Sequence, residues 1–143
     1  MDAPDRLTAE VIALFAKITD LYSREYETAS AHHGLTPQQV KVLLALDEAL
    51  PMRRLAERVG ADPSNLTGMV DRLQSRGLVE RVPDPTDRRI KRIAATDAGR
   101  AAARDLRARL RFATDPLVAL DGNQRRGLRD LLQLMVDSQS PGA

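Results

Sequence analysis

The segment DPSNLTGMVDRLQSRG restricts the fold more than any other, because both ends of a helix are marked in it. Asp62 can cap a helix N-terminus, Pro63 suits the first helical position, and Gly77 is a common helix stop. A shorter helix, MRRLAERV, is predicted just before it, opened by Pro51 and closed by Gly60. Two helices joined by a short turn that contains glycine form a helix-turn-helix unit.

A short hairpin is predicted directly after this unit. Leu78–Val82 has the pattern of a strand, PDPTD that of a turn, and Ile90–Ala95 that of a returning strand. Between Arg72 and Arg92 seven basic residues stand against three acidic ones, although the net charge of the whole chain is only +2. A localised basic patch is typical of a nucleic-acid-binding surface, although solvated charges are also common on protein surfaces.

Amphipathic helices are predicted on both sides of these elements. Apolar residues recur at three- and four-residue spacing over Leu7–Tyr26, which predicts a long helix that ends near Gly34. Thr36, followed by a proline and then by a glutamine at the third helical position, marks the start of the next helix. Two further helices are predicted to start at Thr96 and near Asp121.

The outer helices carry apolar stripes that a chain of 143 residues cannot bury in a second core. We therefore expect them to pair with the same helices of a second subunit, which makes a homodimer. The predicted fold class is mainly α with a two-stranded β wing: a winged helix-turn-helix core with flanking N- and C-terminal dimerisation helices. The predicted segments are an N-terminal dimerisation helix (1–35), a winged helix-turn-helix DNA-binding domain (36–99) and C-terminal dimerisation helices (100–143).

The first turn of the second helix in the helix-turn-helix unit carries short polar side chains. A recognition helix meets DNA with this turn, because its free backbone N–H groups and small side chains can approach the bases. Asn65 can bind adenine through two hydrogen bonds, while Ser64 and Thr67 suit several partners. Gly68 keeps the helix surface low enough for close approach. Serine and asparagine also favour first helical turns on structural grounds, which leaves both explanations open.

Two arginines near this turn are further candidates for DNA contact. Arg72 can reach a phosphate or a guanine edge, although an ion pair with Asp71 or Glu80 is the alternative. Arg53, at the start of the preceding helix, suits the flanking DNA backbone. It also stands four residues before Glu57, so a solvated ion pair is an equally good explanation.

The predicted wing carries an Asp-x-Arg pair, Asp87 and Arg89. On an extended strand, residues two apart point the same way, so the Asp87 carboxylate can brace the Arg89 guanidinium. A ribbon with arginine at its tip can enter a narrow minor groove, where the negative potential is strongest. Arg88 and Lys91 are further candidates for DNA contact, although Lys91 and Arg92 could instead face water.

The segment Leu55–Gly99 resembles the DNA-binding domain of the MarR family of bacterial transcriptional regulators. The matching pieces are LAERVG, LTGMVDRL, RGLVER, DPTDRR and TDAG, and the flanking LTPQQVKVLLAL and LDGNQRRGLRDLLQLM fit that family's layout. The resemblance implies a homodimer in which each subunit presents a recognition helix to the major groove and a wing to the minor groove. It assigns Arg89 as the wing arginine, with Asp87 as its partner. The recognition-helix contacts that it implies are Ser64, Asn65, Thr67, Gly68 and Arg72.

The same resemblance implies a site for a small effector molecule. Many regulators of this family release DNA when an aromatic or phenolic ligand binds between the dimerisation helices and the DNA-binding lobe. Packing in the core or in the dimer is the alternative for two of the candidate residues, Phe15 and Tyr22. The candidate ligand-binding residues are Phe15, Tyr22, Tyr26, His32 and His33.

Composition excludes several other kinds of chemistry. The chain has no cysteine, which rules out disulfides, thiolate-bound zinc, iron–sulfur clusters and thiol-based peroxide sensing. Adjacent histidines such as His32 and His33 do not share one helix face, so no metal site is predicted. We find no glycine-rich phosphate loop and no nucleophile-elbow serine, and we predict neither an enzyme nor a cofactor.

The sequence as a whole predicts a sequence-specific regulator of transcription that binds double-stranded DNA at a palindromic operator. We expect a repressor that a small ligand releases; the alternatives are a dimer that binds DNA without any ligand response, and an interaction module that does not bind DNA. The N-terminus begins acidic and has only the short apolar run Val11–Ala16, so neither a signal peptide nor a membrane span is expected. We therefore expect a cytoplasmic protein.

Overall fold

The computed structural model describes residues 2–139. Within that range the chain is mainly helical with a small antiparallel sheet, which confirms the predicted fold class. Met1 and residues 140–143, at the ends of the predicted terminal segments, lie outside the described residues. In chain order the elements are α1 (Arg6–His32), α2 (Pro37–Leu44), β1 (Leu50–Pro51), α3 (Met52–Val59), α4 (Pro63–Ser75), β2 (Val79–Pro83), β3 (Lys91–Ala95), α5 (Asp97–Arg109), α6 (Arg111–Thr114) and α7 (Gly122–Asp137).

The helix starts follow the caps that the sequence marks. At α2 the Gln39 backbone N–H donates to Thr36 Oγ1 at 3.2 Å, and the Gln39 side chain accepts from the Thr36 backbone N–H at 3.0 Å. At α4 the Asp62 carboxylate accepts from the backbone N–H of Ser64. Such local bonds satisfy N–H groups that have no partner inside the helix. The predicted starts of α2 and α4 are therefore confirmed.

The sheet has three strands in the order β1-β3-β2, one more than the two-stranded wing that was predicted. The extra strand β1 pairs Leu50 with Ile93 and Pro51 with Arg92. This strand is only two residues long and one of them is proline, so it shows no alternation of apolar and polar residues from which it could have been predicted. Pro51 stands at the N-cap position of α3, without a side-chain capping bond, and the helix begins at Met52.

The core lies where α3, α4 and α5 pack against the sheet and α2 packs against α4 and α5. Leu66, Val70 and Leu73 are fully buried along one face of α4, so the opposite face of that helix turns to solvent. Burial of these apolar side chains is the main stabilising contribution to the unit. Other buried members of the same core are Val40, Leu43, Leu55, Val79, Ile93 and Leu106.

The start of α5 is pressed against the base of the hairpin. Thr96 caps α5 and also donates its hydroxyl to the Gly77 carbonyl at 2.6 Å, while its backbone N–H donates to Leu78. At Gly99 the approach is so close that an added Cβ would lie 1.9 Å from the Leu78 carbonyl oxygen. Glycine is therefore required there, and α5 is fixed to the end of the hairpin opposite its tip.

The chain divides between Ala113 and Thr114 into two compact units. In the first unit, one face of α1 leaves large apolar side chains exposed. In the second unit, α7 has its own capping box between Asp121 and Gln124 and exposes a further apolar set. None of the helices in the described range is both long and apolar enough to cross a bilayer. The exposed apolar residues of α1 are Leu7, Val11, Ile12, Leu14, Phe15, Ile18 and Leu21, and those of α7 are Leu131, Leu132, Leu134, Met135 and Val136.

Candidate nucleic-acid interface

The solvent-facing side of α4 forms one wall of an open groove of about 710 Å³. The start of α2 and the turn between α3 and α4 form the rest of its lining. Because the buried face of α4 fixes the rotation of the helix, its polar first turn is directed into this groove. The lining residues are Thr36, Gln38, Val59, Gly60, Ala61, Asp62, Ser64, Asn65, Gly68, Met69 and Arg72.

The polar side chains of the first turn of α4 differ in how free they are. The Ser64 hydroxyl donates to Asp62 Oδ1 at 3.2 Å, and the Thr67 hydroxyl donates to the Pro63 carbonyl at 3.0 Å. The Asn65 amide has no hydrogen-bond partner among the described residues, so its donor and its acceptor are both available to a base edge. Asn65 is thus the first-turn residue best placed for direct readout.

Arg72 lies in the same groove, one turn further along α4. Its guanidinium has no side-chain or backbone partner within the part of the chain that the structure describes. The alternative of an ion pair with Asp71 does not form, because Asp71 is bound by Arg81 at 2.7 Å. Arg81 also bonds to Gln74, which ties β2 to the last turns of α4. Arg72 therefore keeps all of its donors for a ligand.

Arg76 stabilises the fold, because its guanidinium is bonded within the protein and is not left unpaired as that of Arg72 is. Its guanidinium donates to the carbonyl oxygens of Gly34, at 2.6 Å, and His33, at 2.8 Å. These carbonyls lie at the C-terminus of α1, where a helix leaves acceptors without intrahelical partners. Gly34 turns the chain there with φ +63°. The C-terminal end of α4 is thereby joined to the end of α1.

The wing tip is organised around Asp84, which lies in the predicted PDPTD turn but was not among the predicted site residues. Its carboxylate accepts from the Thr86 backbone N–H at 2.8 Å, the Thr86 hydroxyl at 2.7 Å, the Asp87 backbone N–H at 3.1 Å and Arg92 Nε at 2.8 Å. Hydrogen bonds from Thr86, and then from Arg92, hold the pKa of the Asp84 carboxyl far below its ordinary value. An aspartate followed two residues later by threonine is a turn signal that could have revealed this role.

Asp87 and Arg89 form the predicted pair, with Arg89 Nε at 3.2 Å from Asp87 Oδ1. The predicted geometry was wrong, because these residues lie in the turn between β2 and β3 and not on an extended strand. The Asp87 carboxylate also accepts from the Arg89 backbone N–H at 3.1 Å, which closes the turn locally. The Arg89 side chain is 92% exposed, so it remains accessible at the tip.

The remaining predicted cations have different surroundings. Arg88 and Lys91 are exposed, and their side chains have no partner anywhere in residues 2–139. Arg92 is half-buried and bonded to Asp84, whereas Lys91 faces solvent. Arg53 is 91% exposed and lies 3.8 Å from Glu57, which is the geometry of the predicted alternative ion pair.

Two of the five candidate ligand-binding residues line one hollow. The rings of Tyr22 and Tyr26 lie 5.0 Å apart, and Lys41 Nζ lies 5.6 Å and 5.2 Å from their respective centres. Burial, together with the neighbouring Tyr22, raises the pKa of Tyr26 to about 12. The hollow has a volume of about 400 Å³, and its other lining residues are Leu44, Ala45, Arg58 and Val59.

The other three candidates lie outside the lining of this hollow. His33 Nε2 is 2.6 Å from Asp105 on α5, and His32 Nε2 is 2.7 Å from the guanidinium of Arg109 on the same helix. The Arg109 and His33 contacts hold the pKa of the Asp105 carboxyl below its ordinary value. Phe15 is partly exposed on the apolar face of α1. The two histidines thus join the end of α1 to α5.

Comparison with known proteins agrees with this geometry. The model of the MarR family matches residues 35–91, which run from α2 to the wing. The HTH-type transcriptional regulator TtmR of Methylorubrum extorquens is 30% identical over 138 residues, which cover 95% of this chain and 70% of TtmR. The HTH-type transcriptional repressor MdtR of Bacillus subtilis is 33% identical over 105 residues, which cover 69% of this chain and 65% of MdtR.

A solved structure covers most of the present chain as well. The crystal structure of CouR from Rhodococcus jostii, bound to p-coumaroyl-CoA, aligns with a TM-score of 0.73 at 32% sequence identity. The alignment covers 92% of this chain and 95% of CouR. The similarity therefore extends beyond the helix-turn-helix unit to the flanking helices.

Proposed function

The chain belongs to the MarR family of winged helix-turn-helix transcriptional regulators, and from that premise we propose that it is a repressor that a small aromatic ligand releases from its operator. Regulators of this family bind DNA as dimers, and some bind small molecules. Two copies of this chain would bind the halves of a palindromic site, about one helical turn apart. The ligand would shift the dimer toward a state of lower DNA affinity.

The observation that carries the DNA-binding proposal is the division of the basic patch into two groups. Arg76, Arg81 and Arg92 are bonded within the protein. Arg72 and Arg89 are exposed, the first in the α4 groove and the second at the wing tip. Exposed guanidinium groups therefore stand at the two places where a winged helix would meet DNA.

Each free side chain has a distinct proposed role. Asn65 would bind an adenine edge through its amide, and Arg72 a guanine edge or a phosphate. Arg89, oriented by Asp87, would enter the minor groove, where a guanidinium is attracted by the negative potential of narrow A·T-rich stretches. Arg88 and Lys91 would contact phosphates and so add affinity without sequence preference.

The proposed homodimer follows from the apolar faces of the terminal helices. Leu7, Ile12 and Leu14 of α1 are more than half exposed, and α7 presents a similar set in the other unit. Contiguous apolar surface of this kind is typical of protein–protein interfaces. A symmetric dimer would cover both sets, because each copy supplies the same surface.

The hollow beside Tyr22 and Tyr26 supports the ligand part of the proposal. Its volume of about 400 Å³ falls within the range of small-molecule sites. The tyrosine rings can stack on an aromatic ligand, and Lys41 can pair with a ligand carboxylate. The binding of p-coumaroyl-CoA by CouR and the name of MdtR as a repressor are consistent with a ligand-released repressor.

A fluorescence-anisotropy titration tests the DNA-binding part. The purified dimer is titrated against labelled duplex from the region upstream of its own gene and against scrambled duplex of equal length. We expect a preference of about a thousandfold or more for the operator and a steep loss of affinity with rising salt. Arg89→Ala should weaken operator binding about tenfold, the cost of one charge-assisted contact. Arg6→Ala, which removes a 94% exposed cation on α1, should not.

Equal affinity for both duplexes would contradict a sequence-specific regulator. The ligand part has its own measurement: p-coumarate, chosen from the ligand of CouR, is added to the preformed operator complex. Release of the labelled duplex by the wild-type protein, but not by Lys41→Met at the same p-coumarate concentration, is the expected result. If no hydroxycinnamate or hydroxybenzoate releases the duplex, the protein binds DNA without this ligand response.

A further inference from the structure

Three arginines on one face of α5 line a shallow groove that the DNA-binding proposal does not use. Arg100, Arg104 and Arg107 follow each other at spacings of four and three residues, so they lie above one another on the helix. The floor of the groove is apolar and its volume is about 220 Å³. Besides the arginines, its lining consists of Leu46, Asp47, Ala95 and Ala103.

The groove lies at the end of the hairpin that is far from the wing tip. Ala95, which lines it, pairs with Val79 at the base of the hairpin, whereas Lys91 pairs with Pro83 near the tip. Ala95 lies four positions along β3 from Lys91, which corresponds to about 13 Å. The base also follows directly after the C-terminus of α4, whereas the proposed DNA contacts lie on the N-terminal half of that helix. This groove is therefore separate from the DNA-binding face.

Two of the three guanidinium groups are already held in place by backbone oxygens. Arg100 Nη1 donates to the Ala95 carbonyl at 2.8 Å, and Arg107 Nη2 donates to the Leu44 carbonyl at 3.2 Å. A guanidinium has five N–H donors, so each bond leaves most of them free. Arg104 lies between the two, and its side chain has no partner in the described part of the chain. Little side-chain entropy of Arg100 and Arg107 remains to be lost when an anion binds to them.

The acidic groups near the groove are themselves engaged. Asp47 on the opposite wall is bound by Arg58 at 2.8 Å. Asp97 bonds to Arg100, but its side chain is 99% exposed, so water screens this pair strongly. An incoming dianion can therefore compete for Arg100 and bind Arg104 without displacing any other group.

We propose that Arg100, Arg104 and Arg107 form a binding site for a small ligand that carries two linked phosphate groups. The three residues extend along about 10 Å of helix, which suits two linked phosphates better than one. Guanidinium groups bind phosphate oxygens through paired hydrogen bonds. The apolar floor formed by Leu46 and Ala103 gives room for an uncharged part of the ligand.

Isothermal titration calorimetry with inorganic pyrophosphate tests the proposal on the full-length protein at constant ionic strength. We expect saturable binding of one pyrophosphate per chain. Arg104→Ala should weaken it about tenfold, because it removes one charge-assisted partner without breaking a bond of the fold. Arg104→Lys keeps the charge but not the paired donors, and should bind with intermediate affinity. Arg6→Ala is the matched control for loss of one positive charge and should bind as the wild type does.

Three outcomes would overturn the proposal. The first is a wild-type protein that shows no saturable heat, and the second is an equal loss in Arg104→Ala and Arg6→Ala, which would mean a general charge effect. The third is a loss of operator affinity in Arg104→Ala as large as that in Arg89→Ala, which would make the groove a DNA-backbone contact. Failure of the regulator proposal is distinguishable, because operator preference is measured separately and does not depend on pyrophosphate.

Discussion

Arg92 donates from Nε to Asp84 Oδ2 across 2.8 Å, and this ion pair lies beneath the wing tip with the Asp84 side chain only 8% exposed. The same carboxylate accepts the backbone N–H of Asp87, whose own carboxylate holds Arg89. A chain of bonds therefore runs from β3, through Asp84 and the turn, to the arginine at the tip. Arg89 depends for its position on a residue that does not itself reach the surface of the tip.

Loss of the Asp84 carboxylate should weaken DNA binding without preventing folding. Asp84→Asn keeps the shape but replaces one carboxylate oxygen with an NH2 donor and removes the negative charge, so the side chain can no longer accept from Arg92 on one side and from Thr86 and Asp87 on the other. We expect operator affinity to fall about as far as in Arg89→Ala, roughly tenfold. Crosspeaks of the turn residues in an NMR spectrum should broaden or move, while those of α4 stay in place. Asp71→Asn, which breaks an exposed pair with Arg81, is the control. Full operator affinity in Asp84→Asn would contradict this role.

The pH dependence of the wing follows from the lowered pKa of Asp84. A carboxyl whose pKa is lowered on folding stabilises the folded state above the unfolded-state pKa, and this contribution is lost as the pH falls through the folded-state pKa. The hydrogen bonds from Thr86 and Arg92 place that folded-state pKa far below the ordinary value of 3.8. The chemical shifts of the Thr86 and Asp87 amides should therefore stay constant from neutral pH to about pH 4. A titration of these amides near pH 5 or 6 would argue against the bonded geometry.

How much could be predicted from the sequence depended on how many residues along the chain separate two interacting residues. The caps at Asp62 and Thr36 involve neighbours within three residues, so their patterns are visible in the sequence. The bond between Arg76 and the Gly34 carbonyl spans 42 residues and has no local pattern. For this reason the sequence could only count Arg76 and Arg92 among the seven basic residues of the patch, and the fold separates them from Arg72.

The same reason explains the partial success at the wing and at the hollow. The pair of Asp87 and Arg89 was predicted because the two residues stand two positions apart, but its geometry was argued from an extended strand, whereas both residues lie in the turn between β2 and β3. Tyr22 and Tyr26 were grouped with the histidines because the family resemblance implied an effector site beside the dimerisation helices. The packing of α5 against that helix end separates them, because it places Asp105 and Arg109 next to His33 and His32.

Arg72 on α4 and Arg76 at the C-cap of that helix lie four residues apart, and their substitutions should have opposite effects. Arg76→Ala removes two hydrogen bonds to the carbonyls at the end of α1, and should lower the free energy of unfolding by about 1–2 kcal/mol. Arg72→Ala removes a side chain with no partner in residues 2–139. It should leave the free energy of unfolding within about 0.5 kcal/mol of the wild type. Urea unfolding followed by circular dichroism measures both values.

Operator binding should show the reverse order for these two variants. Arg72→Ala should lose affinity about tenfold at a temperature where both variants are folded, since one charge-assisted DNA contact is removed. Arg76→Ala should lose less, because its guanidinium is bonded to the protein and not to DNA. If Arg72→Ala destabilises the fold as much as Arg76→Ala, the assignment of Arg72 as a free cation is wrong.

Gly68 offers a test in which stability and DNA binding should change in opposite directions. The residue lies inside α4, and a Cβ added there would meet no atom within 4 Å. Glycine in a helix interior costs about 0.5–1 kcal/mol relative to alanine, so Gly68→Ala should stabilise the isolated protein. The same methyl group would stand on the surface that is proposed to face DNA, and the larger side chain of Gly68→Leu should abolish operator binding by steric conflict.

Gly127→Ala on α7, where an added Cβ also meets nothing within 4 Å, is the matched control for stability. It should stabilise the protein similarly. Operator affinity in Gly68→Leu equal to that of the wild type would mean that this face of α4 does not approach DNA.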